Sequence, residues 1–518
     1  MSTALTENPS GVQAKKITSF STIDIITIVC AVILAIAFTA LSWIHESETS
    51  ITGLGLLTSG SLPFSADLQA ALQNTQSSLW QIPLAIILAI AGVVWSKVQP
   101  QKRRIGLWLV RLAGFLSLVY FVLYGVEDRQ NTTLALVQFS GGGFWLAFFV
   151  SAILLGQFLF IRDTAAAAIQ SESYSGQRGG LRRIFSGLLE NPRFIRAVTF
   201  VFRFQSFFGL IIVILLAIIF SPVRNDTNLF LSQRNLSNVA RDVAETGILA
   251  VGQILVIIIG GIDLSVGSVV ALTATGAAFL LMRDLVPAVP AILIILSLGA
   301  FIGWWNGYTA ERFKIPSFVT TLAMLSIARG IAHIWSNDIA VPISYSAGGA
   351  DPLFGHIGER INGIFPVPAI IMFIVATIMA LILHYTAFGR HLYAIGGNQT
   401  AARLSGLAVS RIKIFAFMLC GFFAAMAGIL HAAQLKQGSP NEAVGYELNA
   451  IAAVVIGGAS LSGGKGTIVG AIAGAFILGI LDNMLSLNNV NSNIQLVTKG
   501  LLVVAAVALQ QLRPRSAA

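Results

Sequence analysis

The most suggestive chemistry in the chain sits at Ser462-Gly463-Gly464-Lys465-Gly466-Thr467, which has the glycines, lysine and threonine of a phosphate-binding loop. That motif needs a glycine, four residues and then Gly-Lys-Ser/Thr, because backbone amides, the lysine and the hydroxyl must converge on one phosphate chain. Here Ala459 stands in the place of the first glycine and Gly466 follows the lysine, so the segment supports no nucleotide site. The histidines, His45, His333, His356, His384, His391 and His431, lack the close spacing of metal ligands. Cys30 and Cys420 lie far apart, each inside an apolar run, and imply neither a disulfide framework nor a thiolate metal site. Without a nucleophile elbow or paired carboxylates, the chain does not read as an enzyme, and no bound cofactor is expected.

What remains is polar chemistry set among apolar residues. Asp263 lies between Ile262 and Leu264 at the edge of an apolar run, where a carboxylate needs water, a partner or a path. It reads equally as a cap for the next helix and as a group on a translocation path. The stretch from Ile259 to Gly267, holding Gly260, Gly261, Asp263 and Ser265, matches the stretch from Ile456 to Gly464, holding Gly457 and Gly458. The two share Ile-Gly-Gly, Leu-Ser and the final glycine in register. Paired glycines let helices break and backbones approach closely, so both are candidate hinges or path linings. For the second copy, a tight helical hairpin packed through small residues is the simpler reading. Arg111 also lies inside an apolar run, close enough to its basic end for a long side chain to snorkel to the interface.

The elements that carry these residues follow from composition. The chain is 56% hydrophobic and 10% charged, far below the charged fraction of about 25% in soluble domains. It is therefore a polytopic membrane protein. A net charge of +10 does not indicate nucleic acid, because the basic residues collect in short loops between apolar runs, the pattern of cytoplasmic retention. The first runs, Ile23 to Ile44, Trp80 to Val98, Ile105 to Val126 and Gly142 to Ile161, make an N-terminal extension of about four spans over residues 1–161. An Arg-rich stretch over 162–205, with Arg178, Arg182, Arg183, Arg193 and Arg196, reads as a cytoplasmic linker or an interfacial helix on anionic lipid.

Over 206–518 about ten further apolar runs appear. They are Phe207 to Phe220, Val239 to Ile259, Val266 to Met282, Ala288 to Tyr308 and Phe318 to Trp335, then Phe365 to Tyr385, Ile412 to Ala432, Leu448 to Gly458, Ile468 to Met484 and Ile494 to Leu512. With the linker inside, parity puts Arg312, Lys314, Arg390, Arg403, Arg411 and Lys413 inside and Asp338, Asp351 and Glu359 outside, with both termini cytoplasmic. The polar interruption Gly396-Gly397-Asn398-Gln399-Thr400-Ala401-Ala402-Arg403-Leu404-Ser405-Gly406 then lies in the cytoplasm. Its Ala401, Ala402, Leu404 and Leu407 have helix-like spacing between glycines, which predicts a short amphipathic helix at the membrane face.

Three segments resemble the ribose/xylose-type permeases of bacterial ABC sugar importers. They are Gly260 to Ser268, Ala394 to Asn398 with Ala401 to Gly406, and Gly445-Tyr446-Glu447-Leu448 followed by Ala450 to Gly458. The resemblance covers roughly Phe207 to Leu512 and implies an all-α permease core of about ten spans, a subunit of an inner-membrane importer of monosaccharides. It implies a permease pair, a cytoplasmic ABC ATPase that holds the ATP, and an extracytoplasmic sugar-binding protein touching the loops Ser336 to Gly363 and Gln434 to Tyr446. It also makes Gly396, Gly397, Asn398, Ala401, Ala402, Arg403, Ser405 and Gly406 the ATPase-coupling loop, and Gly260-Gly261 and Gly457-Gly458 candidate moving seams. The N-terminal spans lie outside the resemblance and read as accessory, or as a partner-binding or sensing module. Trp304, Trp305 and Asn306 would suit sugar stacking and hydrogen bonding, and interfacial anchoring explains the tryptophans equally well. A proton-coupled carrier titrating at Asp263 is the alternative of a different class.

Overall fold

The computed structural model describes residues 22–46, 49–58, 63–65, 68–69, 72, 78–98, 103–130, 140–160, 205–224, 227–283, 285–345 and 349–511. The Arg-rich stretch lies outside the described residues up to 204. Two compact units divide the chain, one holding 1–124 and 141–161, the other 125–140 and 162–518.

In the first unit α1 (Thr22–Thr39), α2 (Gly53–Thr58), α3 (Gln81–Val98), α4 (Arg103–Gln130, whose end passes the unit boundary) and α5 (Gly142–Phe160) surround a hairpin of β1 (Ser42–Glu46) and β2 (Thr49–Thr52). The expected first span to Ile44 is therefore a shorter helix ending at Thr39. Ile44, Thr49, Ile51 and Thr52 are β-branched, and Ile44 pairs with Ile51 across the hairpin, a pleated surface such residues favour. Trp43 anchors it, fully buried, with its ring 5.2 Å from Phe38 and 5.9 Å from Phe144. Ala31, Ala85, Ala89 and Ala113 let the helices of this unit close on one another. Arg111 lies 5.4 Å from the Trp108 ring, a cation–π contact near the helix start.

In the second unit each of the apolar runs expected after the linker holds a helix: α6 (Gln205–Ile219), α7 (Gln233–Ile258), α8 (Val266–Met282), α9 (Ala288–Phe313), α10 (Ser317–Ser336), α12 (Val367–Tyr385), α15 (Val409–Leu435), α16 (Tyr446–Ile456), α17 (Ile468–Leu487) and α18 (Ser492–Gln511). Between them lie the short α11 (Pro352–His356), α13 (Ala387–Gly397) and α14 (Gln399–Leu404). Five helices among the described residues, α9, α10, α12, α15 and α17, are long and apolar enough to cross a membrane. The chain is all-α and polytopic. Two-residue strands pair locally: β3 (Val223–Arg224) with β4 (Thr227–Asn228), β5 (Val341–Pro342) with β8 (Gln437–Gly438), and β6 (Arg360–Ile361) with β7 (Phe365–Pro366).

The tightest seam joins α9 to α15. Gly299, Gly303 and Gly307 repeat every four residues along one face of α9, and a methyl at Gly303 would collide with the Phe417 carbonyl and lie 3.0 Å from the Gly421 nitrogen. The backbones touch, as association in lipid favours where packing replaces hydrophobic drive.

Two helices are short for a reason visible in their neighbours. At the start of α8, a methyl on Gly267 would meet the Glu447 carboxylate and sit 2.8 Å from the Ala443 carbonyl, so the loop before α16 reaches the beginning of α8. α8 is preceded by the non-helical segment 259–265 and α16 by that loop, so both are discontinuous elements of the kind found in transporters.

Candidate functional site

The predicted coupling segment folds as two helices rather than one. α13 was not foreseen, although Phe388, Leu392 and Ile395 recur at helical spacing opposite Arg390 and His391; Leu392 and Ile395 are buried. Asn398 ends α13 and opens α14, its side chain accepting a hydrogen bond from the Ala401 nitrogen at 3.0 Å. Ser405 donates to the Ala401 carbonyl at 2.9 Å, and Gly406, at φ +83°, turns the chain away. Ala402 is 6% exposed and faces inward, whereas Leu404 is 84% exposed. Gly397, Ala401 and Arg403 also face out. Leu404 is the exposed apolar residue left out of the coupling-loop residues above, and its signal is an apolar side chain beside arginine on a loop with nothing of its own to cover it.

Behind this tip, three glycine segments meet. A methyl on Gly396 would overlap the Ile258 carbonyl and lie 2.5 Å from the Gly464 nitrogen. The Gly464 nitrogen donates to that same Ile258 carbonyl at 2.8 Å. Gly463, at φ +87°, would place a methyl 3.1 Å from the Gly260 nitrogen, the Gly396 carbonyl and the Ile258 carbonyl. Only glycine allows both the left-handed backbone and so close an approach. The α13 end, the first Ile-Gly-Gly break and the Gly463-Gly464 turn of the α16–α17 loop thus form one junction built of main-chain atoms. Tyr393 adds a hydrogen bond from its hydroxyl to the Gly466 carbonyl at 2.7 Å. Thr467 caps α17 through the Gly470 nitrogen at 3.0 Å, so the residues that resemble a phosphate loop are structural.

The breaks differ in what they anchor. Gly457 packs against the Gly470 backbone at the α16–α17 turn, and its carbonyl accepts from Ser206 of α6 at 2.8 Å. Gly458 follows at φ +92°. Gly261 lies within 3.1 Å of the Phe417 ring when a methyl is placed on it. Asp263, 1% exposed, accepts from the nitrogen of Ser265 at 2.9 Å and from its hydroxyl at 2.6 Å. Asn306 donates to the Ser265 hydroxyl at 3.0 Å. Asp263 therefore organises the start of α8 in an Asx-type turn. Asn306 points inward at 1% exposure while Trp305 lies open, and Trp304 stacks on Tyr308 with centroids 5.2 Å apart. The Trp-Trp-Asn trio does not converge on one ligand.

A cavity of about 440 Å³ opens on the junction side, between Gly260-Gly261, Gln399 and Arg403 of α14, and Lys314. Its wall includes Lys413, paired with Glu311 at 2.6 Å. At the opposite ends of the helices, the loops 337–366 and 436–445 are joined by β5 and β8. Arg329 donates to the Pro440 and Glu442 carbonyls, each at 2.6 Å. Asp351 lies in the first of these loops, where the Leu353 and Ala288 nitrogens donate to it and hold its carboxyl below the usual range.

Residues 235–507 match the family described as branched-chain amino acid transport system / permease component. The chain is 43% identical over 279 residues to the ribose import permease protein RbsC of Escherichia coli (strain K12), covering 54% of this chain and 86% of the relative. It is 39% identical over 308 residues to the corresponding protein of Haemophilus influenzae, with 60% and 93% covered. To the xylose transport system permease protein XylH of Escherichia coli (strain K12) it is 35% identical, with 54% and 85% covered. The chain belongs to the ribose/xylose-type permease family of ABC importers. No solved structure matches it. The permease is a multi-pass inner-membrane protein and a transport component rather than an enzyme.

Proposed function

We propose that this permease forms the path through which an ATP-driven importer passes a monosaccharide of the ribose, xylose or hexose class. The observation that carries the reading is the joining of an exposed apolar tip, Leu404, to a main-chain junction that ties the break at Gly260 to the α16–α17 loop. A cytoplasmic ABC ATPase, which holds the ATP, grips α14; its closure displaces Gly396 and with it Ile258 and Gly464, and the two discontinuous helices re-pack between access states. The loops 337–366 and 436–445, tied by β5 and β8, receive a loaded sugar-binding protein on the extracytoplasmic side. A second copy of the permease completes the path in the inner membrane, with the termini and α14 in the cytoplasm.

The test is uptake of labelled D-ribose and D-xylose into vesicles that hold the permease, its ATPase and ATP, with the binding protein outside. Leu404→Asp and Gly397→Glu, both on the outward face, should abolish uptake and sugar-stimulated ATP hydrolysis while leaving membrane expression intact. Losing the burial of one leucine costs about 1.5–3 kcal/mol, enough to weaken ATPase docking by roughly tenfold to a hundredfold. Normal transport in both variants would sink the docking assignment. Collapse of uptake by a protonophore with ATP intact would favour the proton carrier that titrates at Asp263.

A further inference from the structure

A second cavity, of about 170 Å³, lies between α7, α16 and α17, away from the glycine junction. It is lined by Asp242 and Thr246 of α7, Asn449 of α16, and Asp482, Asn483 and Ser486 of α17. Asp242 sits nine residues into α7, roughly 13 Å along its axis. It lies inside the apolar run that begins at Val239, where an accessible carboxylate lines water or a partner rather than hydrocarbon. Asn449 stands in the first turn of the discontinuous helix α16, the kind of element that forms substrate sites in transporters.

The chemistry of the lining selects the ligand. Lys499 of α18 pairs with Asp482 Oδ2 at 2.8 Å, which neutralises that carboxylate, while Asp482 Oδ1 is buried with no hydrogen-bond partner. Among the described residues no group of three or more metal-ligating side chains occurs, so a bound cation has too few ligands. The lining offers no unpaired cation to hold a phosphate or another carboxylate. What fits is a neutral molecule with many hydroxyls: carboxylates accept from them, amides both donate and accept, and the Thr246 and Ser486 hydroxyls do either. Val243, Ala475 and Leu478 supply an apolar wall for the C–H face of a ring. The volume is below the range of about 300–1,000 Å³ for drug-sized ligands and suits one sugar ring.

We infer that this cavity is a monosaccharide-binding site within the single permease subunit, occupied when sugar has left its binding protein and has yet to pass the junction. The inference rests on the transport reading above, and deepens it by naming the residues that hold the cargo.

The test has two arms. Saturation-transfer NMR on the permease alone in lipid nanodiscs, with D-ribose, D-xylose, D-galactose and D-glucose, should detect weak binding of at least one sugar. Asp242→Asn, Thr246→Val and Asn449→Ala should each weaken it about tenfold. Thr246→Val keeps the side-chain shape, so its folding is not in question. No binding of any of the four sugars, or unchanged affinity in all three variants, overturns the inference. The same variants are assayed for uptake in the complete transporter. If the unsubstituted transporter imports none of the sugars, the transport reading itself falls. If it imports one and all three variants match it in affinity and rate, only the cavity assignment falls.

Discussion

Gly396 and Gly397 are neighbours in sequence and opposites in surroundings. A methyl on Gly396 overlaps the Ile258 carbonyl, while one on Gly397 meets nothing within 4 Å. Gly396→Ala must push the junction apart, an overpacking cost of about 1–3 kcal/mol, and should cut sugar uptake more than tenfold and lower the melting temperature in detergent. Gly397→Ala should keep both near the original values. Equal behaviour of the two variants in paired uptake and melting measurements would contradict the junction. The motif Ala394 to Gly406 made both glycines legible as a unit, but only three-dimensional contact separates the one that packs from the one that is open. Leu404 was hidden for the same reason: the spacing put it on a face with Ala401, Ala402 and Leu407, and nothing in the sequence states that Ala402 turns in while Leu404 turns out.

At the scale of elements, the apolar runs located the helices of the second unit because sustained apolar stretches bounded by polar loops have few other solutions in a membrane. Two features escaped. α13 escaped because its apolar residues continue from the preceding span with only Thr386 between. The β1–β2 hairpin escaped because Ser42 to Ile44 reads as apolar continuation, and strand pairing depends on a partner several residues away. The α9–α15 seam carries a prediction of its own. Gly303→Leu forces the Phe417 backbone away and should destabilise the fold by about 1–3 kcal/mol, seen as a lower melting temperature in detergent and reduced membrane yield. Gly330, with nothing within 4 Å, is the control, and Gly330→Ala should melt like the original.

For the molecule as a whole, the family match begins at residue 235, and residues 1–124 with 141–161 form a compact unit of their own. Deleting Met1 to Gln170 should leave sugar uptake largely intact in the complete transporter; loss of uptake with normal expression would assign those helices a part in transport. The main-chain character of the junction has a mechanical consequence. Side chains that meet through long, flexible contacts can absorb a push by changing rotamer, so part of any movement is lost between them. Carbonyls and amides at Ile258, Gly396 and Gly464 have no such slack. In the proposed transport cycle, a displacement delivered to α14 therefore reaches the break at Gly260 and the α16–α17 loop at the same moment and at nearly full stroke, through a single lever instead of two contacts that move in turn.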